Sequence, residues 1–262
     1  MRLAFRLAYL GTFFSGLQYQ PDKRTVEGDF CQSCKNIGLF SDKKEAHVQF
    51  AGRTDRGVSA QGQVVAFNTA QPERAIKSLN KALPPEIWCT GYATVPEEFN
   101  PRYTTSMRTY RYFLCDTRLD IDAMAKAASY FVGDHDFTRL ARIDHRSPRR
   151  TVSHAVILDE LTGPVFEISG QSFLWHMVRC MATALVQVGR GEMEPAAIET
   201  LLQGPPGHRL IAAPAEGLIF WDADCGITLE PMDHGNHEAF REEQRCHHAR
   251  MQQVMTALQN DF

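Results

Sequence analysis

No apolar run in the 262 residues approaches the roughly 18 that a membrane-spanning helix needs, so no membrane partner is expected. The N-terminal MRLAFRLAYL is interrupted by Arg6 and followed by no small-residue cleavage site, which argues against a signal peptide and makes the cytoplasm the expected location. Cysteines do not form an even, spaced set. Seven are scattered at 31, 34, 89, 115, 180, 225 and 246, which argues against a disulfide framework and fits a reducing compartment. Cys31 and Cys34 form a CxxC, but no second pair completes a zinc site. They share one face of an expected helix with Val26, Phe30 and Ile37, so they read as small core residues, and no metal or cofactor is expected.

A net basic charge is also missing. The formal charge is −3, which by itself argues mildly against nucleic acid. Its distribution changes that reading. Residues 230–262 hold six acids and three bases, so the rest of the chain is neutral; residues 102–150 hold nine arginines and one lysine against six acids. A locally basic face within a neutral body is the expectation.

The stretch AGRTDRGVSAQGQVVAF, residues 51–67, is a polar loop between two apolar strand-like runs. Gly52, Gly57 and Gly62 permit tight turns, and Asp55 is presented between Arg53 and Arg56. Around this loop the order reads strand (from Leu3), helix (from an N-cap at Thr25), strand, strand, helix (from Pro72), strand (Ile87 to Val95). That is the ferredoxin-like arrangement. FNPR at 99–102 reads as a join. Further strands are expected at 105–115, 152–161, 165–171 and 218–229, with helices at 121–132 and 173–188. The fold class is therefore α+β: two ferredoxin-like, RRM-like halves (1–100 and 101–229) with mostly antiparallel sheets flanking a basic central cleft. Residues 230–262 add an acidic C-terminal extension whose Met251, Val254, Met255 and Leu258 recur at helical spacing.

Four strings follow GRTDRGV and GQV in order: FNPRYTTSMRTYRYFL, GDHDFT, FLWHMVR and APAEGL. The ordered set, from about Leu3 to Leu229, resembles the TruA-type tRNA pseudouridine synthases. The resemblance implies that Asp55 is the essential catalytic residue and that Arg53 enters the RNA to displace the target base. It likewise implies that Tyr110, in TYRY, packs on the uracil, and that Arg179, in HMVR, approaches Asp55. It implies a homodimer and a tRNA substrate, with target uridines on the 3′ side of the anticodon stem-loop, positions 38–40. Leu10 and Leu17 stand where such proteins often carry Asp and Trp, and SAQG replaces their common HGxG-like string.

The chemistry fits these residue types. Conversion of uridine to pseudouridine breaks the N1–C1′ bond, turns the uracil and rejoins it through C5, so one carboxylate suffices where a hydrolase needs two. Attack at C1′ or C6, stabilisation of an oxocarbenium-like sugar, and proton removal from C2′ all remain open, and all want Asp55 ionised. Arg179 is expected to favour that form through paired hydrogen bonds. Arg56 contributes charge, and arginines 102, 108, 111, 139, 142, 146, 149 and 150 are candidates for phosphate contacts. On residue type alone Asp55 could be a turn former, Tyr110 a strand aromatic, Arg179 a structural pair, and His135 and His176 structural or surface residues. Two other functions compete: a non-catalytic tRNA-binding module of the same fold, and a metal-dependent nuclease or hydrolase.

Overall fold

The computed structural model describes residues 1–116, 118–145, 147–160, 163–204, 207–233 and 237–259. Arg146, among the expected phosphate contacts, lies outside the described residues. The architecture is mixed α+β, built on a single ten-stranded sheet. Its strands are β1 (Arg2–Tyr9), β2 (Gln49–Phe50), β3 (Ser59–Asn68), β4 (Ile87–Val95), β5 (Met107–Phe113), β6 (Gly133–Asp136), β7 (Arg149–Glu160), β8 (Gly163–Gly170), β9 (Leu218–Asp224) and β10 (Glu230–Pro231). The helices are α1 (Val26–Asn36), α2 (Pro72–Ala82), α3 (Pro101–Thr104), α4 (Ile121–Ser129), α5 (Met177–Gly189), α6 (Ala197–Leu202) and α7 (His237–Gln259).

The strand order is β10-β4-β1-β3-β9-β5-β8-β7-β6, with β2 also on β3. Strands β4, β1, β3 and β2 thus run in 4-1-3-2 order with antiparallel pairing. One pairing is parallel, and it joins this group to the other. Ser59 and Ala60 of β3 pair with Ile219 and Phe220 of β9, while β2 takes Val65 and Ala66 farther along the same edge. The connection from residue 51 to 58 therefore emerges between β2 and β9. Gly62 lies at this joint, and a Cβ there would stand 2.3 Å from the Trp221 carbonyl oxygen. Only glycine lets the two backbones come that close. Arg6 of β1 reaches across to Asp222 of β9 at 2.8 Å.

Local rules account for most element starts. Thr25 caps α1, its hydroxyl accepting from the Gly28 N–H at 3.2 Å, and Glu27 sits in the first turn. Pro72 opens α2, where its missing N–H costs nothing. The Phe30 ring of α1 meets Phe50 and Phe67 edge-on, covering β2 and β3. Cys31 and Cys34 are buried on α1, and burial pushes the Cys31 thiol up to about 12. One hydrophobic cluster runs from β1 through α5 and β9.

Three expected boundaries are corrected. FNPR is not a bare join: Asn100 caps the short α3, accepting from the Arg102 N–H at 3.1 Å. The apolar helix starts at Met177 rather than Phe173, because His176 adopts the left-handed backbone region (φ 64°). The last long strand ends at Asp224, whose carboxylate accepts from the Gly226 N–H, and the chain then returns to β4 on the opposite edge as β10. The polar segment from Gly133, to which no element was assigned from the sequence, pairs as β6 with β7. Helix α7 is anchored by its start. His237 is buried with Nε2 2.6 Å from the Asn80 carbonyl oxygen, Phe240 meets Phe13, and Arg241 covers Trp88. Met251, Val254 and Met255 farther along are about half exposed. Among the described residues no helix is long and apolar enough to cross a membrane.

Candidate active site

The loop at 51–58 is held by its backbone at almost every step. The Ala51 N–H donates to the Val64 carbonyl at 2.8 Å, and the buried Gln63 amide both donates to and accepts from Gly52 at 3.2 Å. Thr54 is buried, its hydroxyl 2.7 Å from the Tyr9 hydroxyl. Its carbonyl accepts from the Leu17 N–H. The Val58 N–H closes a turn onto the Asp55 carbonyl, with Gly57 at φ 85°. A Cβ on Gly57 would press at 3.1 Å against Ala215 of the APAEGL string, so glycine is required there for conformation and for packing. Asp55 is thus presented on a rigid support, as a site that must hold its geometry requires.

Residues from distant sequence converge on this carboxylate. Arg179 Nη1 lies 3.7 Å and His176 Nε2 3.6 Å from Asp55 Oδ2. Both come from the FLWHMVR string, at i and i+3 of the first turn of α5, which places them on one face. Arg179 does not make the expected paired hydrogen bonds to Asp55. Its Nε donates to the Ala213 carbonyl at 2.6 Å, while the Ala213 N–H donates to the Arg179 carbonyl. That reciprocal link turns one edge of the guanidinium toward APAEGL and leaves Nη1 at charge-contact range of the carboxylate.

Tyr110 on β5 is 8% exposed, its ring edge-on to Phe173 and Phe220 with centroids 5.0 Å away in each case. Burial raises its phenol well above the ordinary value, so it stays neutral. Arg53 and Arg56 are exposed, and no ion pair engages either among the described residues.

The electrostatics of Asp55 run against expectation. Partial burial is the largest influence and raises its carboxyl above the usual aspartate range, with the charges on His176 and Arg179 opposing that shift. His176 is moved the other way, chiefly by burial and further by Arg179, Arg209 and Arg142, with Asp55 opposing. A neutral imidazole is therefore favoured at neutral pH, and Arg179 is the cation facing Asp55. Among the described residues no partner engages the buried His176 Nδ1, and the left-handed backbone at a non-glycine residue marks local strain of the kind that collects at functional sites. Reading His176 as a structural or surface residue did not place it beside this carboxylate. The signal available was its i, i+3 spacing from Arg179. Arg209, which also acts on His176, sits in a loop with no periodic signal.

The arginine-rich set divides. Arg108 cannot reach phosphate, because its Nη2 donates to the Ala51 and Arg102 carbonyls at 2.8 Å each and its Nη1 contacts the Gln171 carbonyl. It ties the start of the Asp55 loop to β5. Arg111 is likewise engaged, pairing with Glu167 at 2.6 Å and Glu160 at 3.1 Å over the Trp221 ring. Arg149 pairs with Asp134 at 3.0 Å, and Arg150 donates to the Ser147 and Arg149 carbonyls. Arg139 lies against Gly207, and Arg102 reaches over the Tyr103 ring. Arg142 is exposed and stacks on Trp175, its guanidinium carbon 4.1 Å from the ring centroid.

These features define a site built on the Asp55 carboxylate, partly buried on a glycine-rich loop and faced by Arg179, on a mostly antiparallel α+β sheet. A family model described as tRNA pseudouridine synthase matches residues 127–224. The tRNA pseudouridine synthase A of Methanosphaerula palustris is 51% identical over 89% of this chain and 83% of its own length. Those of Methanoculleus marisnigri and Thermococcus sibiricus are 49% and 43% identical, over 94% and 88% of this chain and 92% and 87% of theirs. The chain belongs to the tRNA pseudouridine synthase family.

The raised carboxyl of Asp55 has a consequence for stability. A carboxyl whose folded value lies above its unfolded value favours the fold while protonated, and that contribution is lost as pH rises through the folded value. Asp55→Asn should therefore raise the thermal midpoint at pH 7. The gain should vanish below about pH 3.9, the ordinary aspartate value, where both side chains are neutral. Thermal melts across that range check the sign, and a midpoint lowered at pH 7 would contradict it.

Proposed function

We propose that this chain isomerises uridine to pseudouridine in tRNA, with Asp55 as its catalytic carboxylate and uridines at positions 38–40 of the anticodon stem-loop as its targets. The observation that carries the role of Asp55 is its convergence with Arg179 and His176, at 3.7 Å and 3.6 Å, on a loop whose backbone is anchored at both ends. This reading takes the body as two ferredoxin-like halves, residues 1–100 and 101–229, with a basic central cleft between them and 230–262 as an extension. The 4-1-3-2 strand order and the parallel joint of β3 with β9 favour it.

Isomerisation breaks N1–C1′, forms C5–C1′, and ends with the C5 proton lost and N1 carrying one. Attack at C1′ or C6, support of an oxocarbenium-like sugar, and proton removal from C2′ each use Asp55 in its ionised form. Arg179 opposes the effect of burial on that form. Extruding the base costs a few kcal/mol. Arg53, exposed and unpaired, fills the vacated stack, and the Tyr110 ring contributes about 1–3 kcal/mol against the uracil. Arg56 and Arg142 take phosphates. Arg149 is the weaker candidate, because Asp134 already compensates its charge.

Asp55→Ala is expected to abolish pseudouridine formation in an unmodified tRNA transcript while tRNA affinity stays within a few-fold. Ordinary turnover by this variant would falsify the assignment, and tRNA binding without any pseudouridine from the unaltered chain would favour the non-catalytic binding module. The charges are tested separately. Arg56→Ala and Arg142→Ala should each flatten the dependence of log K on log salt by about 0.9, and Arg149→Ala by less. Unchanged slopes would return these residues to ordinary surface. The exposed stripe of Met251, Val254 and Met255 favours a homodimer. Sedimentation at about 29.6 kDa rather than near twice that mass would exclude it.

A further inference from the structure

Beside the carboxylate stands an aromatic residue that the proposed chemistry leaves unused. Trp175 is 41% exposed, whereas Trp88 is 8% exposed and Trp221 is covered by Arg111. An indole left in water beside such a site offers a ring face on which a base can stack. Its position is fixed from three sides. The Trp175 carbonyl accepts from the Arg142 N–H at 2.7 Å, in an isolated antiparallel bridge. The Arg142 guanidinium stacks 4.1 Å from the ring centroid. The His176 ring meets the indole edge-on, with centroids 5.2 Å apart.

This ring is also at the reacting centre. Its chain neighbour His176 and Arg179 one turn later both contact Asp55, and the Trp175 side chain itself acts on the Asp55 carboxyl. Tyr110 occupies a different layer, 8% exposed between Phe173 and Phe220. The site therefore holds two aromatic surfaces, one deep and one at the rim. Among the described residues, no hydrogen bond or ion pair engages the Arg142 side chain, which leaves its N–H donors available beside the exposed ring.

We propose that Trp175 and Arg142 form a nucleotide subsite: the indole stacks an unpaired base adjacent in the strand to the extruded uridine, and the Arg142 guanidinium holds that nucleotide's phosphate. This rests on the reading of the chain as an isomerase acting on tRNA. Extruding one nucleotide removes a stacking partner from each of its neighbours, and a fixed indole supplies a replacement without being ordered on binding. Because every base has a π face, such a contact sets the register of the strand rather than its sequence. The backing arginine polarises the ring and places a charge within reach of the attached phosphate.

Equilibrium binding of an unmodified tRNA transcript to the full chain tests the subsite. Trp175→Ala should weaken Kd about 5- to 150-fold, while Trp175→Phe, which keeps a ring, should stay within about threefold of the unaltered protein. The transcript should quench tryptophan emission, and Trp175→Phe should lose most of that quenching although Trp88 and Trp221 remain. Trp175→Ala binding within twofold of the unaltered protein overturns the proposal. So does Trp175→Phe binding as weakly as Trp175→Ala, because the loss then belongs to the indole N–H beside Asp55 and not to the ring. Pseudouridine measured in the same samples separates the two claims. Weakened binding by Trp175→Ala with no product from the unaltered chain supports the subsite and sinks the isomerase. Normal product with unchanged Kd in Trp175→Ala does the reverse.

Discussion

The parallel joint of β3 with β9 is the constraint on which the site depends. Two residues on each strand make it, yet it is the place where the chain from 2 to 95 and the chain from 107 to 224 become one sheet. Asp55 belongs to the first stretch, and Tyr110, His176 and Arg179 to the second. The approach of His176 and Arg179 to within 4 Å of Asp55 follows from how closely the two backbones pass at Gly62, where a Cβ would collide with Trp221. So short a ladder would be weak alone. Arg108 reinforces it by spending its donors on the Ala51, Arg102 and Gln171 carbonyls, and Arg6 adds an ion pair to Asp222. A charged donor bonded to backbone carbonyls is worth more than a neutral one, typically about 1.5–3 kcal/mol each. The arginine that looks like an RNA contact in sequence is here a structural clamp on the loop that presents Asp55.

A second constraint is the opposition of burial and charge at Asp55. Shielding the carboxylate strengthens its interactions with nearby charges but also disfavours its ionised form. A single arginine at 3.7 Å, with its other edge held by Ala213, opposes that shift without forming a closed bidentate pair. The open geometry leaves the carboxylate outside the closed fork that a bidentate pair would impose. His176 is favoured neutral in this setting, so it packs beside the carboxylate without adding a second cation.

Much of the site was legible before any coordinates. The loop around Asp55 could be placed because glycine spacing and flanking apolar runs are local signals, and β4 was bounded correctly because Pro84 and Pro85 stop a helix before it. His176 was passed over, since a lone histidine carries no local mark of the left-handed backbone that aims it. The start of α5 was misplaced for the same reason. The arginines of the basic segment could not be sorted either: Arg108, Arg111 and Arg142 look alike in sequence, and only partners far away in the chain separate a clamp, an ion pair on Trp221 and a stacking arginine.

The sequence by itself therefore determined the alternation of strands and helices, the glycine loop that presents Asp55, and the ordered strings that mark the family. These depend on backbone preference and on periodicity, which act over a few residues. The tertiary structure alone decided which side chains meet the carboxylate, which arginines remain free, and that Trp175 stays at the rim in water. Those outcomes depend on the β3–β9 joint and on burial, and both arise between residues more than a hundred positions apart.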